Sequence, residues 1–244
     1  MQPLSAQDIL NIWERGQNQH PLDKALTLLS PSFPDSTKDE LAMLTIGQRD
    51  ACLLSARELV FGGRLNLFAR CPHCQERLEF SMSTKDICAV QEPYEPESIF
   101  ELAADDFVLR FRLPNSIDLA EAAGYRDVAA ARMVLVERCV QQAFHNGREI
   151  TGRELPEEIV GCLSMRMAEC DTHAEVLLDL RCPACDHTWQ MLFDVVSFFW
   201  TEISSHARRL LEEVHTLARA YGWNESDILS MSQRRRQFYL DMVE

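Results

Sequence analysis

Arg64-Leu-Asn-Leu-Phe-Ala-Arg-Cys71-Pro-His-Cys74-Gln-Glu-Arg-Leu-Glu-Phe80 and Glu175-Val-Leu-Leu-Asp-Leu-Arg-Cys182-Pro-Ala-Cys185-Asp-His-Thr-Trp-Gln-Met191 follow one plan. Each reads strand, Cys-Pro-x-Cys, strand. In the first, Leu65, Leu67 and Ala69 alternate with Arg64, Asn66, Phe68 and Arg70. Beyond its cysteines, Leu78 and Phe80 alternate with Arg77 and Glu79. A period of two marks half-buried strands. The Cys-x-x-Cys turn presents two sulfurs to one ion, and proline at its second position fixes φ and stiffens it. One such turn is half of a tetrahedral zinc site, with Zn–S of about 2.3 Å. Two complete a site with no open position for water or substrate, so the expectation is a structural ion.

The cysteines Cys71, Cys74, Cys182 and Cys185 are therefore read as ligands of one structural Zn2+ per chain. Between the two turns lie 107 residues. Loop-closure entropy grows only logarithmically with length, so an insertion that folds on its own is no obstacle. Three competing readings are open. Cys71-Pro-His-Cys74 is also a thiol-disulfide motif, but there it opens a helix in a βαβ unit, and here a strand follows. The two halves could complete two sites across a dimer. His73 or His187 could replace a cysteine. Cys88 and Cys170 lack a Cys-x-x-Cys partner, and Cys52, Cys139 and Cys162 sit among apolar residues as small buried hydrophobes.

The totals bound the class. The 244 residues are 46% hydrophobic and 25% charged, as in a globular protein with a sizeable core. Apolar runs such as Val195 to Trp200 are too short to span a bilayer. The start of the chain has no basic and apolar leader, so no secretory signal is expected. An odd number of cysteines, nine, fits a reducing compartment such as the cytoplasm. A net charge of −14 argues against a general nucleic-acid binder. Part of that acidity is local: Asp86 to Asp106 carries seven acids and no Lys or Arg.

Along the chain, helices are expected at Ser5 to Gly16, from Pro21, and over Lys38 to Phe61, the last in two pieces around Gly47. Core positions there are Leu53, Leu54, Leu59, Val60 and Phe61. Gly62-Gly63 turns the chain into the first strand. Gln91 to Glu97 is a Pro-bearing acidic connection. Phe100 to Leu113 reads as a hairpin turning at Asp105-Asp106. Ser116 reads as an N-cap with Asp118 in the first turn. A helix is expected over Asp127 to Phe144 with Val134, Leu135, Cys139 and Val140 inward, and another from Pro156 to about Glu169. A long helix follows from Ser197 to Tyr221, then short ones from Asn224 and Ser232. The fold class is α+β, mostly helical. It has a split four-cysteine zinc ribbon of two β-hairpin knuckles (residues 63–85 and 174–195) and an N-terminal helical region (1–62). An insertion of hairpin plus helices (86–173) and a C-terminal helical arm (196–244) complete it.

No catalytic constellation is found. There is no GxGxxG, GxxxxGKS/T or GxSxG, and the carboxylate pairs fall in turns or on helix surfaces. The candidate partner-binding residues are in the C-terminal arm: Trp200, Tyr221, Trp223, Arg234, Arg235, Phe238 and Tyr239.

Longer runs carry a family likeness. They are Leu44-Thr-Ile-Gly-Gln-Arg-Asp50 through Gly62, Phe111-Arg-Leu-Pro-Asn-Ser-Ile-Asp118, and Cys182-Pro-Ala-Cys185 through Ile203. Glu213-Val-His through Trp223 and Leu229-Ser-Met through Leu240 extend it. Together they resemble the baseplate-associated proteins encoded with contractile, phage-tail-like injection systems, labelled T-even-type baseplate hub assembly chaperones. The likeness covers most of the chain, and its C-terminal motifs are the more specific. One departure is Asp186-His187 where Gly-His is expected. The resemblance implies a non-enzymatic assembly or structural role, with baseplate hub or wedge proteins as partners, in the cytoplasm or incorporated in the particle. Residues alone reach a zinc-ribbon adaptor. A zinc-ribbon nucleic-acid or transcription accessory protein, using Arg64, Arg70, Arg77 and Arg181, is the alternative.

Overall fold

The computed structural model describes residues 1–87 and 98–243. The acidic connection at residues 91–97 and Cys88 lie outside the described residues. The N-terminal part holds α1 (Ala6–Gly16), α2 (Pro21–Leu29), α3 (Lys38–Met43) and α4 (Ile46–Phe61). A hairpin follows, β1 (Arg64–Arg70) with β2 (Arg77–Ser83), and then the single turn α5 (Thr84–Ile87). The middle holds β3 (Phe100–Ala104), β4 (Phe107–Phe111), α6 (Ser116–Ala122), α7 (Val128–Cys139), β5 (Val140–His145), β6 (Arg148–Ile150) and α8 (Glu157–Cys170). A second hairpin, β7 (Leu177–Arg181) with β8 (Thr188–Leu192), leads into α9 (Val195–Tyr221), α10 (Glu225–Ser230) and α11 (Gln233–Leu240).

The spine is α9. Its 27 residues span about 40 Å at 1.5 Å per residue. Val196, Phe199, Ile203, Ala207, Leu210, Val214 and Leu217 are all buried at spacings of three and four, which makes one apolar stripe. The stripe packs with Ile9 and Ile12 of α1, Leu28 and Leu29 of α2, Leu53 of α4 and Leu65 of β1 in one core. Gly222, at φ +71° in the left-handed region, ends the helix where a β-carbon would be strained. Arg57 of α4 grips α9 from the side. Its Nε and Nη2 donate to the two oxygens of Glu202 at 2.8 and 2.6 Å, and its Nη1 donates to the Gly62 carbonyl. A second core lies within the insertion, where Leu109, Phe111, Leu113, Val136, Ala143, Ile159, Val160 and Leu163 close on one another.

Several sequence expectations change. The break in Lys38 to Phe61 falls at Leu44-Thr45 rather than Gly47. Thr45 accepts the Gln48 N–H while the Gln48 side chain accepts from Thr45 N–H, a reciprocal cap that starts a new helix there. Leu59 is 49% exposed and not core. The N-cap of α6 is Asn115, one residue before Ser116, and its Oδ1 accepts the N–H groups of Ile117 and Asp118.

The largest change is in the insertion. The expected helix to Phe144 stops at Cys139, and Val140 to His145 forms β5. A hairpin at Asn146 (φ +52°) and Gly147 (φ +76°) then pairs β5 with β6, the turn geometry that suits strand twist. The hairpin of β3 and β4 thereby becomes a four-stranded antiparallel sheet in the order β3-β4-β5-β6. The Cys139 carbonyl accepts Arg112 N–H at 2.9 Å, so the chain leaves the helix directly into the sheet. Within α7, Val136 and Cys139 are the buried positions; Val134 and Leu135, and Val140 at the start of β5, are only partly covered.

Candidate metal centre

The two Cys-Pro-x-Cys turns meet although their hairpins are separate two-stranded sheets. The ribbon is therefore not one continuous sheet: the hairpins are joined at their tips by sulfur. Both rest on the main core at their bases. Leu65 and Leu67 of β1, Phe80 and Met82 of β2, Leu178 of β7 and Phe193 all contribute to it.

The two tips match residue for residue. Cys71 N–H donates to the Glu76 carbonyl at 2.9 Å, and Cys182 N–H to the His187 carbonyl at 2.9 Å. Gln75 N–H donates to Cys71 O and Asp186 N–H to Cys182 O, again at 2.9 Å. The residue after each second cysteine is left-handed: Gln75 at φ +65° and Asp186 at φ +58°. That conformation explains why glycine is the expected neighbour of such a cysteine pair. Asp tolerates it through local hydrogen bonding, whereas a longer side chain does so less readily.

The four sulfurs come together within the one chain, so the group is complete without a partner copy. Cys71 Sγ lies 3.6 Å from Cys185 Sγ, and Cys74 Sγ lies 3.5 Å from Cys182 Sγ. All four fall within 4.8 Å of one another. A disulfide needs about 2.05 Å, so these are four free thiols. A tetrahedral ion at about 2.3 Å from each sulfur sets them about 3.8 Å apart, close to the two cross-pairs observed. Cys71 and Cys182 are buried, Cys185 is half-buried and Cys74 is exposed. Among the described residues this is the one group of three or more His, Cys, Asp or Glu side chains gathered closely enough to hold a metal ion.

The donor chemistry agrees with the geometry. Burial raises the Cys71 thiol, but hydrogen bonds from the backbone at Cys74 and His73 and from the neighbouring sulfurs outweigh it and bring the pKa down to about 7. At Cys185 a backbone hydrogen bond at His187 lowers the value, yet burial and the three surrounding sulfurs prevail and push it up to about 12. Four negative sulfurs cannot share so small a volume unaided; a divalent cation would remove that conflict. Cys139 shows the contrast. Burial first, then the nearby Asp118 carboxylate, pushes its thiol up to about 12, which suits the inert buried hydrophobe expected there.

His73 and His187 stack on each other, ring centroids 5.6 Å apart, and His187 stacks on Trp189 at 6.1 Å. The histidines flank the sulfur group and are outside the four-atom set. The arginines of the nucleic-acid alternative are largely engaged close to home. Arg77 pairs with Glu79 at 3.2 Å and covers the Phe68 ring, Arg181 pairs with Asp186 at 2.8 Å, and Arg64 donates to Ser81 at 3.2 Å.

The C-terminal candidates separate into three places. Trp200 packs against α1, where a β-carbon on Gly16 would come within 2.3 Å of its ring, and Lys24 sits 4.4 Å from its centroid. Tyr221, Trp223 and Tyr239 form one cluster: Tyr221 and Trp223 stack at 4.5 Å and Tyr239 meets Trp223 edge-on at 4.8 Å. Arg234, Arg235 and Phe238 face outward.

Sequence reasoning missed the polar anchors. Asp118, with no exposed side-chain area, accepts from Arg112 at 2.6 and 2.9 Å and from Arg138 at 2.7 Å. Arg236, third of the arginine triplet, donates to Glu213 at 2.8 Å and to the Met231 carbonyl at 2.7 Å. Arg138–Asp118 and Arg236–Glu213 lie 20 and 23 residues apart on different helices, and no local spacing signals them.

No helix is long and apolar enough to cross a membrane among the described residues. A family model described as "T4 bacteriophage base plate protein" matches residues 7–200. Comparisons with curated proteins and with solved structures each returned no match.

Proposed function

Because the chain belongs to the T4 bacteriophage base plate protein family, we propose that it is a non-enzymatic, zinc-stabilised assembly factor, or minor structural component, of the baseplate of a contractile phage-tail-like particle. Its partners on this reading are hub or wedge proteins. The observation that carries the reading is the family match across most of the chain, from the first helix through the second hairpin into α9. The four-thiol group supports the structural part. A closed site of four sulfurs leaves no position for a reacting molecule, and its role is to hold β1-β2 against β7-β8. On the same reading the ion is a clasp between the N-terminal helices, the insertion and the C-terminal arm.

Deletion of the gene tests the assembly role directly. Sheathed particles of normal number and form from the deletion strain would sink it, whereas tails lacking baseplates would support it. Co-purification with hub or wedge proteins distinguishes an assembly partner from a bystander. Elemental analysis of protein purified without added metal should give one zinc per chain; a metal-free, folded protein would remove the clasp.

A further inference from the structure

The α11 helix shows two unlike faces. Arg236 is 4% exposed and tied to Glu213 and the Met231 carbonyl, so it pins the helix onto α9. Tyr239 turns the same way onto Tyr221 and Trp223. The anchors are rigid, and they fix what points outward. Arg234 and Arg235 stand four and three residues before Phe238, which places all three on one continuous helical patch. Phe238 is 64% exposed. The patch is the open outer surface of α11 and also takes in Gln233, Gln237 and Asp241.

The chain carries a net −14, and among the described residues Arg234 and Arg235 are two of the cations without a carboxylate partner. The one acid on this surface, Asp241, accepts from Gln237 at 2.7 Å. Arg235 lies 5.8 Å from the Tyr239 ring, which holds it over the patch. Exposed aromatic and arginine side chains on a rigid base are what protein interfaces enrich. A guanidinium is planar and matches a carboxylate with two parallel hydrogen bonds. A nucleic acid is a poorer fit: two cations make few phosphate contacts, and the remaining surface repels a polyanion.

We infer that this outer face of α11 docks a short acidic segment of another protein, whose carboxylates meet Arg234 and Arg235 and whose apolar side chain covers Phe238. Placing that protein in the same particle rests on the baseplate reading above.

A photoreactive benzoyl-phenylalanine at position 238 of the full-length protein, in cells producing the particle, reads the occupant. The crosslinked peptide is sequenced by mass spectrometry. The expected result is a segment of another particle protein in which Asp and Glu outnumber Lys and Arg. In the double variant Arg234→Glu, Arg235→Glu the crosslink yield should fall roughly tenfold, as loss of such charge contacts implies. Circular dichroism and zinc content of the variant confirm that it folds. Crosslinks to a second copy of this chain, to nucleic acid or to a non-acidic segment overturn the inference. So does a yield unchanged by the double variant, or no crosslink in protein that still co-purifies with particles. A protein that never accompanies the particle overturns the baseplate reading as well, and co-purification tells the two failures apart.

Discussion

The Asp171 carboxylate accepts the backbone N–H of Gly47 at 2.9 Å, across 124 residues of chain. Gly47 lies in the first turn of α4, where N–H groups have no partner within the helix and a negative charge is favoured. Asp171 follows α8, so this bond ties the end of the insertion to the N-terminal helices. A second tie lies nearby, where Ile46 N–H donates to the Pro114 carbonyl at 3.2 Å. Glycine is required at 47 for space: a β-carbon there would stand 1.8 Å from Asp171 Oδ1 and 2.9 Å from Ala174 N.

Gly47→Ala should therefore destabilise the protein by about 2 kcal/mol, the scale of overpacking a well-filled site. Asp171→Ala removes the acceptor and should cost about 1–2 kcal/mol. The double variant should cost less than the sum, because the alanine at 47 no longer meets a carboxylate. Urea midpoints measure all three. A Gly47→Ala protein with the parent midpoint would show that the contact is not tight.

Asp118 makes the insertion's acid stability specific. Burial raises its pKa, but hydrogen bonds from Arg112, the Asn115 N–H and Arg138 together hold the carboxyl below the ordinary carboxylate range. A depressed folded value means that the stability is fully present above the unfolded pKa, about 4. It is lost as pH falls through the lower folded value. Asp118→Asn should cost about 3 kcal/mol at neutral pH, since two guanidinium groups lose their buried partner. It should also flatten the loss of stability as pH falls below about 5. Equal slopes for parent and variant over that range would mean that Asp118 is not the group being titrated.

The two cysteine tips were legible because their signals are local. Cys-x-x-Cys spacing and period-two alternation survive in a sequence read without its fold, and the hairpins fall where Leu65, Leu67 and Ala69 place them. The long α9 was legible for the same reason, its apolar stripe repeating over 27 residues. The misreading of residues 140–144 has a physical cause. Val140 to Phe144 continues an apolar-rich run whose period alone does not separate a helix end from a short strand. Pairing with β4 decides it, and the partners lie 29 (Phe111 to Val140) to 36 (Val108 to Phe144) residues earlier. The ion pairs of Asp118, Glu202 and Glu213 were invisible because tertiary packing alone makes them neighbours.

The left-handed residues of the two tips give a prediction of gain. Gln75 occupies φ +65° with no short polar side chain to ease it, while Asp186 is better suited to its φ of +58°. Gln75→Gly relieves about 1 kcal/mol of backbone strain and loses part of that to the greater freedom of an unfolded glycine. The net gain should be about 0.5 kcal/mol. Asp186→Gly should be nearly neutral, because it also removes the ion pair to Arg181 at 2.8 Å. Thermal midpoints of the two variants, both metal-loaded, separate the cases; a loss of stability in Gln75→Gly would count against strain at that site.

Metal removal should divide the molecule unevenly. The hairpins β1-β2 and β7-β8 share no strand pairing and meet through four sulfurs, whereas the insertion has a core of its own around Phe111 and Leu163. Without the ion, four crowded sulfurs favour protonation and separation of the tips. Chelation at neutral pH should therefore abolish hydrogen-exchange protection in residues 64–83 and 177–192 first. Protection in β4 and β5 should remain close to that of the metal-loaded protein. Cys182→Ser should reproduce the chelated pattern, and Cys139→Ser should not, since Cys139 is not in the four-sulfur group. Equal loss of protection in the tips and in β4-β5 would show that the ion holds the whole fold rather than the clasp.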